Sequence, residues 1–302
     1  MPIGITLGTF TPSVLLRVAR RAGHLADVGL EVTETAVPSS PAQFDALLAG
    51  ALDAVLTSPD NVLAYRYSPT NPLRRTADAR IVSAVDRGLG LALYGRSDAA
   101  GLRGGRFGVD VPESGFAFAM YALAESVGLG PGDYDVVTLG STPERLQALL
   151  AGECDATMLN AGNELHAEAA GLRPLATAGE ALAPYLGTVL AVVGTARLAV
   201  ADRLAAALIR TSSAVADGRL DAAVVAEASE ALGLPGGLAE RYLARLRDPT
   251  EGLVTDGVAD IESIRTLVGL RRRYRPEAVD GVDVFAPALD PASGLLPAHA
   301  AR

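Results

Sequence analysis

The chain contains no lysine; all 26 of its basic residues are arginine. That excludes a Schiff-base mechanism, a lysine-anchored pyridoxal cofactor and a phosphate loop built on lysine. Tryptophan is absent and aromatic residues make up only 5% of the chain, so ring stacking has few candidates. Cys154 is the only cysteine, which excludes an internal disulfide and leaves the redox compartment undecided. His24, His166 and His299 are scattered, and none has metal-ligand spacing to another His or to Cys154. No metal and no cofactor are expected. Nowhere do apolar residues run for the roughly 18 positions that a membrane span needs, so no membrane insertion is expected. The N-terminus, Met1-Pro2-Ile3-Gly4-Ile5-Thr6-Leu7-Gly8, shows no basic stretch, no apolar signal core and no lipobox cysteine. As it stands the chain is expected in the cytoplasm; a removed signal would make it exported or lipid-tethered instead.

Positive charge is also in deficit. The net charge over 302 residues is −9, which excludes nucleic acid as a partner, because phosphate backbones need clustered cations. It argues equally against an anionic membrane surface. What remains is an ordinary globular composition, 49% hydrophobic and 20% charged, long enough for one large domain or two lobes of about 100–150 residues.

An internal repeat selects two lobes. Residues 39–58, SSPAQFDALLAGALDAVLTS, align with residues 141–160, STPERLQALLAGECDATMLN, and share the Ala-Leu-Leu-Ala-Gly stretch and an Asp-Ala pair. Each copy reads as a capped helix. Ser40, Pro41 and Gln43 can form a capping box, as can Ser141 and Glu144, with Thr142 an alternative cap. Phe44, Leu47 and Leu48 fall on one helical face, as do Leu146, Leu149 and Leu150. Gly50 and Gly152 end the helices, and strands follow at Ala54–Thr57 and Ala156–Leu159. The flanks repeat as well. Strands at Ile3–Leu7 and Arg106–Asp110 lead to helices 13–26 and 115–127, then to strands near Glu31–Ala36 and Asp135–Leu139. The order β-loop-α-β-α-β implies parallel strands with right-handed crossovers.

The expected fold is therefore α/β, with two Rossmann-like lobes, a hinge and a central cleft. Residues 81–95, broken at Gly88 and Gly90, read as the first crossing between lobes, and Leu186–Val193 as the return. The first lobe is assigned to 1–87 and 191–302, the inserted second lobe to 88–190. Helices are expected at Leu198–Ala216, Asp221–Leu232, Leu238–Leu246 and Val258–Arg273. The Pro- and Ala-rich tail, 275–302, is expected on the surface.

The segments AGHLADVGLEV and FDALLAGALDAVLTSPDNVLAY, then DAAGLRGGRFGVDVPESGFAF, DYDVVTLGSTPERLQALLAGECDATMLN and LGTVLAVVG, resemble the substrate-binding proteins of ABC importers. The resemblance is to the sulfonate, nitrate, taurine and thiamine-pyrimidine-precursor type, over roughly residues 3–235. It implies the periplasmic-binding-protein type II fold, a small-molecule ligand and an ABC permease as partner. Two enzymatic members of that family use chemistry this chain lacks. The aryl-sulfinate desulfinase type needs a cysteine in the first strand–helix loop, which here is Gly8-Thr9-Phe10-Thr11-Pro12-Ser13. The yeast-type pyrimidine synthases need a Cys-rich motif and a lysine.

In such sheets ligands sit at the carboxyl ends of the strands. That rule gives the candidate ligand-binding set. The first lobe offers Thr9, Phe10, Thr11 and Ser13, then Ser58, Asp60 and Asn61, with Asp86 at the crossing. The second offers Ser114, Gly115, Thr142 and Asn160, with Tyr185 before the returning strand. Ser114-Gly115 would open a helix whose free amides and dipole suit an acidic group; a plain N-cap explains it equally. Asp60 could accept from an amine or hydroxyl, or simply cap its helix. Asp86 sits in an apolar strand and needs a partner, because burying it alone would cost several kcal/mol. Phe10 and Tyr185 are candidates for stacking or for plain packing. His24 and Cys154 read as core residues, His166 as solvated, and Arg271-Arg272-Arg273 as cations complementing a helix C-terminus. No catalytic set is apparent. The expected function is a solute-binding protein that closes around a small polar or amphoteric molecule, as in ABC-type uptake. The alternatives are a cytoplasmic lyase, decarboxylase or hydrolase reusing the cleft, drawing on Asp60, Asp86 and Tyr185, and a ligand sensor acting on a protein partner.

Overall fold

A computed structural model describes residues 1–297. The chain opens with β1 (Ile3–Thr9), α1 (Val14–Arg21), α2 (His24–Asp27), β2 (Leu30–Ala36), α3 (Ser40–Leu48), β3 (Ala54–Thr57), α4 (Pro59–Tyr67) and β4 (Ala79–Asp86). It continues through β5 (Ala92–Gly95), β6 (Arg106–Val109), α5 (Gly115–Ser126), β7 (Asp135–Thr138), α6 (Thr142–Ala151), β8 (Ala156–Leu159), α7 (Asn163–Ala169), β9 (Arg173–Thr177) and α8 (Ala178–Ala181). It returns through β10 (Thr188–Val193) to α9 (Leu198–Ala216), α10 (Asp221–Leu232), α11 (Gly236–Leu246), α12 (Ile261–Tyr274) and a small hairpin of β11 (Ala278–Val279) and β12 (Val282–Asp283).

The main strands form two five-stranded sheets, β2-β1-β3-β10-β4 and β7-β6-β8-β5-β9. The orders correspond strand for strand. In each, the strand arriving from the other lobe inserts beside the third repeated strand: β10 beside β3, β5 beside β8. The repeated strands are parallel as expected, whereas both inserted strands run antiparallel to their neighbours. Each enters its sheet from the cleft end, which reverses its direction.

The repeat has a physical basis. Asp53 Oδ2 accepts from the Thr6 amide at 2.8 Å, and Asp155 Oδ2 accepts from the Arg106 amide at 2.7 Å. The shared Asp-Ala pair thus staples the last strand of each unit to the first. Gly50 and Gly152 take left-handed φ of 75° and 79° after their helices, a conformation that costs glycine little. In the second copy the capping box of Ser141 and Glu144 forms as expected. In the first, Ser39 is the cap, bonding the Ala42 amide, while Gln43 turns inward to donate to the carbonyls of Gly8 and Leu56. Helix 13–26 divides at Gly23, whose φ of 79° breaks the turn.

Each lobe centres on a stacked ring pair, Phe44 on Tyr65 and Phe107 on Tyr134, both with centroids 4.0 Å apart. Such pairs add about 0.5–1.5 kcal/mol beyond simple burial. The tail departs from expectation up to residue 297. Phe285, Ala288 and Leu295 are buried in the core, and the Leu295 carbonyl accepts from the Ile81 amide beside edge strand β4. Covering that edge gives its open backbone groups a partner. The last part of the expected tail, 298–302, lies outside the described residues.

Candidate functional site

The chain crosses between sheets twice, and the two crossings touch. A Cβ on Gly187 would stand 2.5 Å from the Gly88 Cα and 2.6 Å from Asp86 Oδ1, so only glycine fits. Gly88, Leu89 and Gly90 all have positive φ. The Leu89 amide bonds the Glu251 carbonyl, and the Leu89 carbonyl receives the Ala161 amide, fixing this bend to both lobes.

Beyond the crossings, the carboxyl ends of β1, β3, β6 and β8 face one another across a cavity of about 120 Å³. Four helices open into it: α1, α4, α5 and α6, with N-caps Ser13, Ser58, Ser114 and Ser141. Of the expected ligand residues, Thr9, Phe10, Thr11, Ser13, Ser58, Asn61, Asp86, Ser114, Gly115, Thr142 and Asn160 line it. Asp60 and Tyr185 do not. Both carboxylate oxygens of Asp60 are taken by Arg271, at 2.6 and 2.7 Å, and both side chains are buried. Tyr185 is buried, and its hydroxyl has no partner among the described residues.

Among the lining residues that sequence reasoning missed are Asp110, Arg145, Tyr242 and Thr188. Asp110 follows β6 directly and accepts from the hydroxyls of Ser114 and Ser40. The same strand-end rule that selected Ser114 could have found it. Arg145 lies inside a helix and is buried at 2% exposure. Its guanidinium donates to Gly140 O at 2.6 Å, Thr142 Oγ1 at 3.0 Å, Thr157 Oγ1 at 3.2 Å and Met158 O at 3.5 Å. It makes no ion pair among the described residues, and burial pulls its pKa down.

Asp86 is buried where it meets the cavity. The Gly88 amide donates to its Oδ1 at 2.9 Å, and Thr188 pairs with it across the sheet. Arg87 turns away to the Leu253 carbonyl, and no cation pairs with Asp86 among the described residues. Burial therefore pushes the Asp86 carboxyl up to about 6.

Helices α11 and α12 of the C-terminal segment pack against helices of the second sheet. Arg245 of α11 approaches Glu168 of α7 at 3.7 Å, and Arg241 pairs with the same carboxylate. Elsewhere, α12 lies against α5. Arg271 sits 5.2 Å from the Phe118 ring and 5.1 Å from the Phe285 ring, and Arg273 and Arg275 pair with Glu125 and Glu113. The arginine run at the end of α12 is thus a set of specific contacts rather than a plain dipole complement. Gly115 of α5 rests directly on Asp60: a Cβ there would lie 2.3 Å from the Asp60 Cβ. The lobes are closed on each other at this point.

The residues set aside for packing are placed as follows. His24 is buried, with Nδ1 2.8 Å from Thr211 Oγ1, and Cys154 is buried. His166, expected in solvent, is half-buried with Nε2 2.8 Å from the Leu232 carbonyl, because α7 packs beside the end of α10. Among the described residues no helix is long and apolar enough to cross a membrane.

No protein-family model and no curated protein matches this sequence. Solved structures do. The periplasmic nitrate-binding protein NrtA from Synechocystis PCC 6803 superposes with a TM-score of 0.76 at 14% identity, covering 96% of this chain and 85% of that one. The alkanesulfonate-binding protein SsuA from Xanthomonas axonopodis pv. citri, solved bound to MOPS, gives 0.69 at 18% identity, covering 98% and 95%. A Candida albicans protein, the CA3427 gene product, described as having the generic periplasmic binding protein fold, gives 0.69 at 14% identity, covering 98% and 96%. The chain has the periplasmic-binding-protein fold: two α/β lobes on a double crossing around a central cleft.

Proposed function

We propose that this protein binds a small polar or amphoteric organic solute between its lobes and delivers it to an ABC-type permease. The observation that carries this reading is the construction of the cavity. Its wall draws on the strand ends and helix N-termini of both sheets, the larger share from the first and Asp110, Ser114, Thr142, Arg145 and Asn160 among those from the second. A ligand there touches both lobes only when they are closed, so closure is coupled to its binding. Micromolar affinity, about −8 kcal/mol, is enough for such a role.

The cavity volume suits a compact molecule, since an engineered cavity of about 150 Å³ takes benzene. Of the three residues on which the enzymatic alternative drew, only Asp86 lines the cavity; Asp60 and Tyr185 lie outside it. A permease partner implies work outside the cytoplasm. The lobes that would move are residues 1–87 with 191–302 against 88–190, although β10 joins the first sheet from Thr188 onward.

The test is to purify the protein, denature it, and identify any released small molecule by mass spectrometry, followed by thermal unfolding across a broad metabolite panel. A reproducibly released compound that rebinds and raises the melting temperature is the expected result. No released compound and no stabilisation by any metabolite would overturn the proposal.

A further inference from the structure

Three of the four helix N-termini that face the cavity already hold a carboxylate from the protein itself, and the fourth carries a neutralised pair. At α1, Glu34 accepts from the Ser13 amide at 2.6 Å and from the Thr9 hydroxyl at 2.9 Å. At α4, the first-turn acid is Asp60, itself neutralised by Arg271. At α5, the Ser114 hydroxyl donates to Asp110. At α6, Glu144 accepts from the Ser141 amide at 2.6 Å and hydroxyl at 2.7 Å. A helix N-terminus attracts anions through its free amides and dipole. At α1 and α6 a carboxylate already takes the cap amide, and at α5 Asp110 stands beside the cap, so an incoming oxyanion at these ends meets like charge; at α4 the Asp60–Arg271 pair carries no net charge.

The charged groups on the cavity wall point the same way. Only three of the lining residues are charged: Asp86, Asp110 and Arg145. Arg145 is ringed by four protein oxygens, as described above, and acts as a strut between α6 and the ends of its sheet. Asp86 is 2% exposed, lies against the cavity and has no counter-cation among the described residues. The cavity wall is largely apolar and includes Val85, Leu89, Leu246 and Leu253 and the rings of Phe10 and Tyr242. A buried carboxylate in such a wall is completed by a cation, and aromatic rings add to a cation's stabilisation.

We propose that the solute is a small organic cation, an amine of about the bulk of a six-membered ring or less, whose ammonium group pairs with Asp86. This rests on the solute-binding reading and narrows it. It also separates this cleft from those of the neighbours described as binding nitrate and alkanesulfonate.

The experiment uses the full chain, stripped of any co-purified molecule by denaturation and refolding. It is titrated by calorimetry and thermal unfolding with a series of amines from methylamine to benzylamine, with the anions nitrate, ethanesulfonate and benzoate, and with the zwitterion β-alanine. At least one amine is expected to bind and raise the melting temperature, and the anions are expected to do neither. Asp86→Asn, checked for native circular dichroism, is expected to weaken that amine at least tenfold. Should Asp86→Asn fail to fold, the selectivity of the wild-type chain alone decides. Binding of an anion, or of β-alanine more tightly than any amine, would overturn the cation assignment and leave the solute-binding reading standing. Tight amine binding that Asp86→Asn leaves unchanged would overturn the role of Asp86. Binding of no probe, together with no released molecule, would overturn both readings.

Discussion

Replacing Asp60 by Asn keeps the side chain's size and removes the charge that faces Arg271. In the wild type the two side chains are 1% and 2% exposed and joined by two hydrogen bonds of 2.6 and 2.7 Å. The variant leaves a guanidinium enclosed by Phe118 and Phe285 with no counter-charge. Removing one partner of a buried pair typically costs about 3–5 kcal/mol. For a chain of this size each kcal/mol moves the melting temperature by roughly 2–4 °C, so a fall of about 6–20 °C is expected. Circular dichroism during heating and in urea would measure it. Arg271→Met should cost a similar amount, because it strands the carboxylate instead. The double variant, Asp60→Leu with Arg271→Met, should recover most of the loss, since two apolar groups of similar shape need no pairing. If Asp60→Asn melts within about 2 °C of wild type and instead abolishes solute binding, the pair is not structural. Asp60 then belongs to the ligand site, as its sequence position suggests.

Gly187→Ala should lose about 1–3 kcal/mol in urea denaturation, because the new Cβ meets the Gly88 Cα at 2.5 Å and backbone cannot step aside; wild-type stability would disprove the close approach of the crossings. Glu164 is fully buried beside Gly90, with Arg245, Glu168, Tyr94 and Tyr242 around it, and burial pushes its carboxyl from the usual 4.5 up to about 8. The folded state therefore binds this proton more tightly than the unfolded state, so the stabilisation is complete below about pH 4.5 and disappears as pH rises through about 8. At about 1.4 kcal/mol per pH unit the effect reaches a few kcal/mol. Glu164→Gln should match wild type near pH 4.5, exceed it at pH 8, and flatten the slope between; an unaltered slope would refute the assignment. Burial also pushes the Cys154 thiol up to about 11, so a thiol-reactive dye should label the protein only after unfolding, and rapid labelling of the native chain would contradict its placement.

The parts of the fold that the sequence discloses are those with a local signature. Four-residue strands after Gly50 and Gly152 are bounded by a helix stop and a cap, and both sheets contain them where expected. Helices α9 and α10 follow from uninterrupted periodicity. The strand-end rule brings eleven candidate residues to one cavity because their positions depend only on where parallel strands terminate. It fails where a residue's partner is distant in sequence. Asp60 and Arg271 are separated by 211 positions, and nothing near either predicts the other. The tail looked like surface because Pro and Ala carry no periodic pattern, yet Phe285 and Leu295 are isolated anchors whose pockets exist only once β4 and α12 are in place. Arg145 was hidden for a different reason. Within an Ala- and Leu-rich helix it reads as an exposed cation, and its burial follows from the four oxygens that surround it.

The duplicated architecture also shows where the two halves of the cleft differ. Gln43 and Arg145 occupy equivalent places in the repeat, as do Leu56 and Met158. Gln43 donates to the Leu56 carbonyl, and Arg145 donates to the Met158 carbonyl. A neutral side chain and a cation thus perform the same bracing task, which makes the charge of Arg145 incidental to the brace. The stapling aspartates, Asp53 and Asp155, are likewise matched. Asp110, opposite Gly8 in the repeat, breaks the symmetry within the repeated units, and Asp86 breaks it on the crossings. Thr188 pairs with Asp86 in the first sheet, whereas in the second the corresponding strand pairing joins Ala92 to Thr177. The counterpart of Asp86 is therefore a neutral threonine that caps α8. A carboxylate at only one of two equivalent strand ends gives the cleft a direction. On the proposed reading, this carboxylate is the group that would discriminate among solutes.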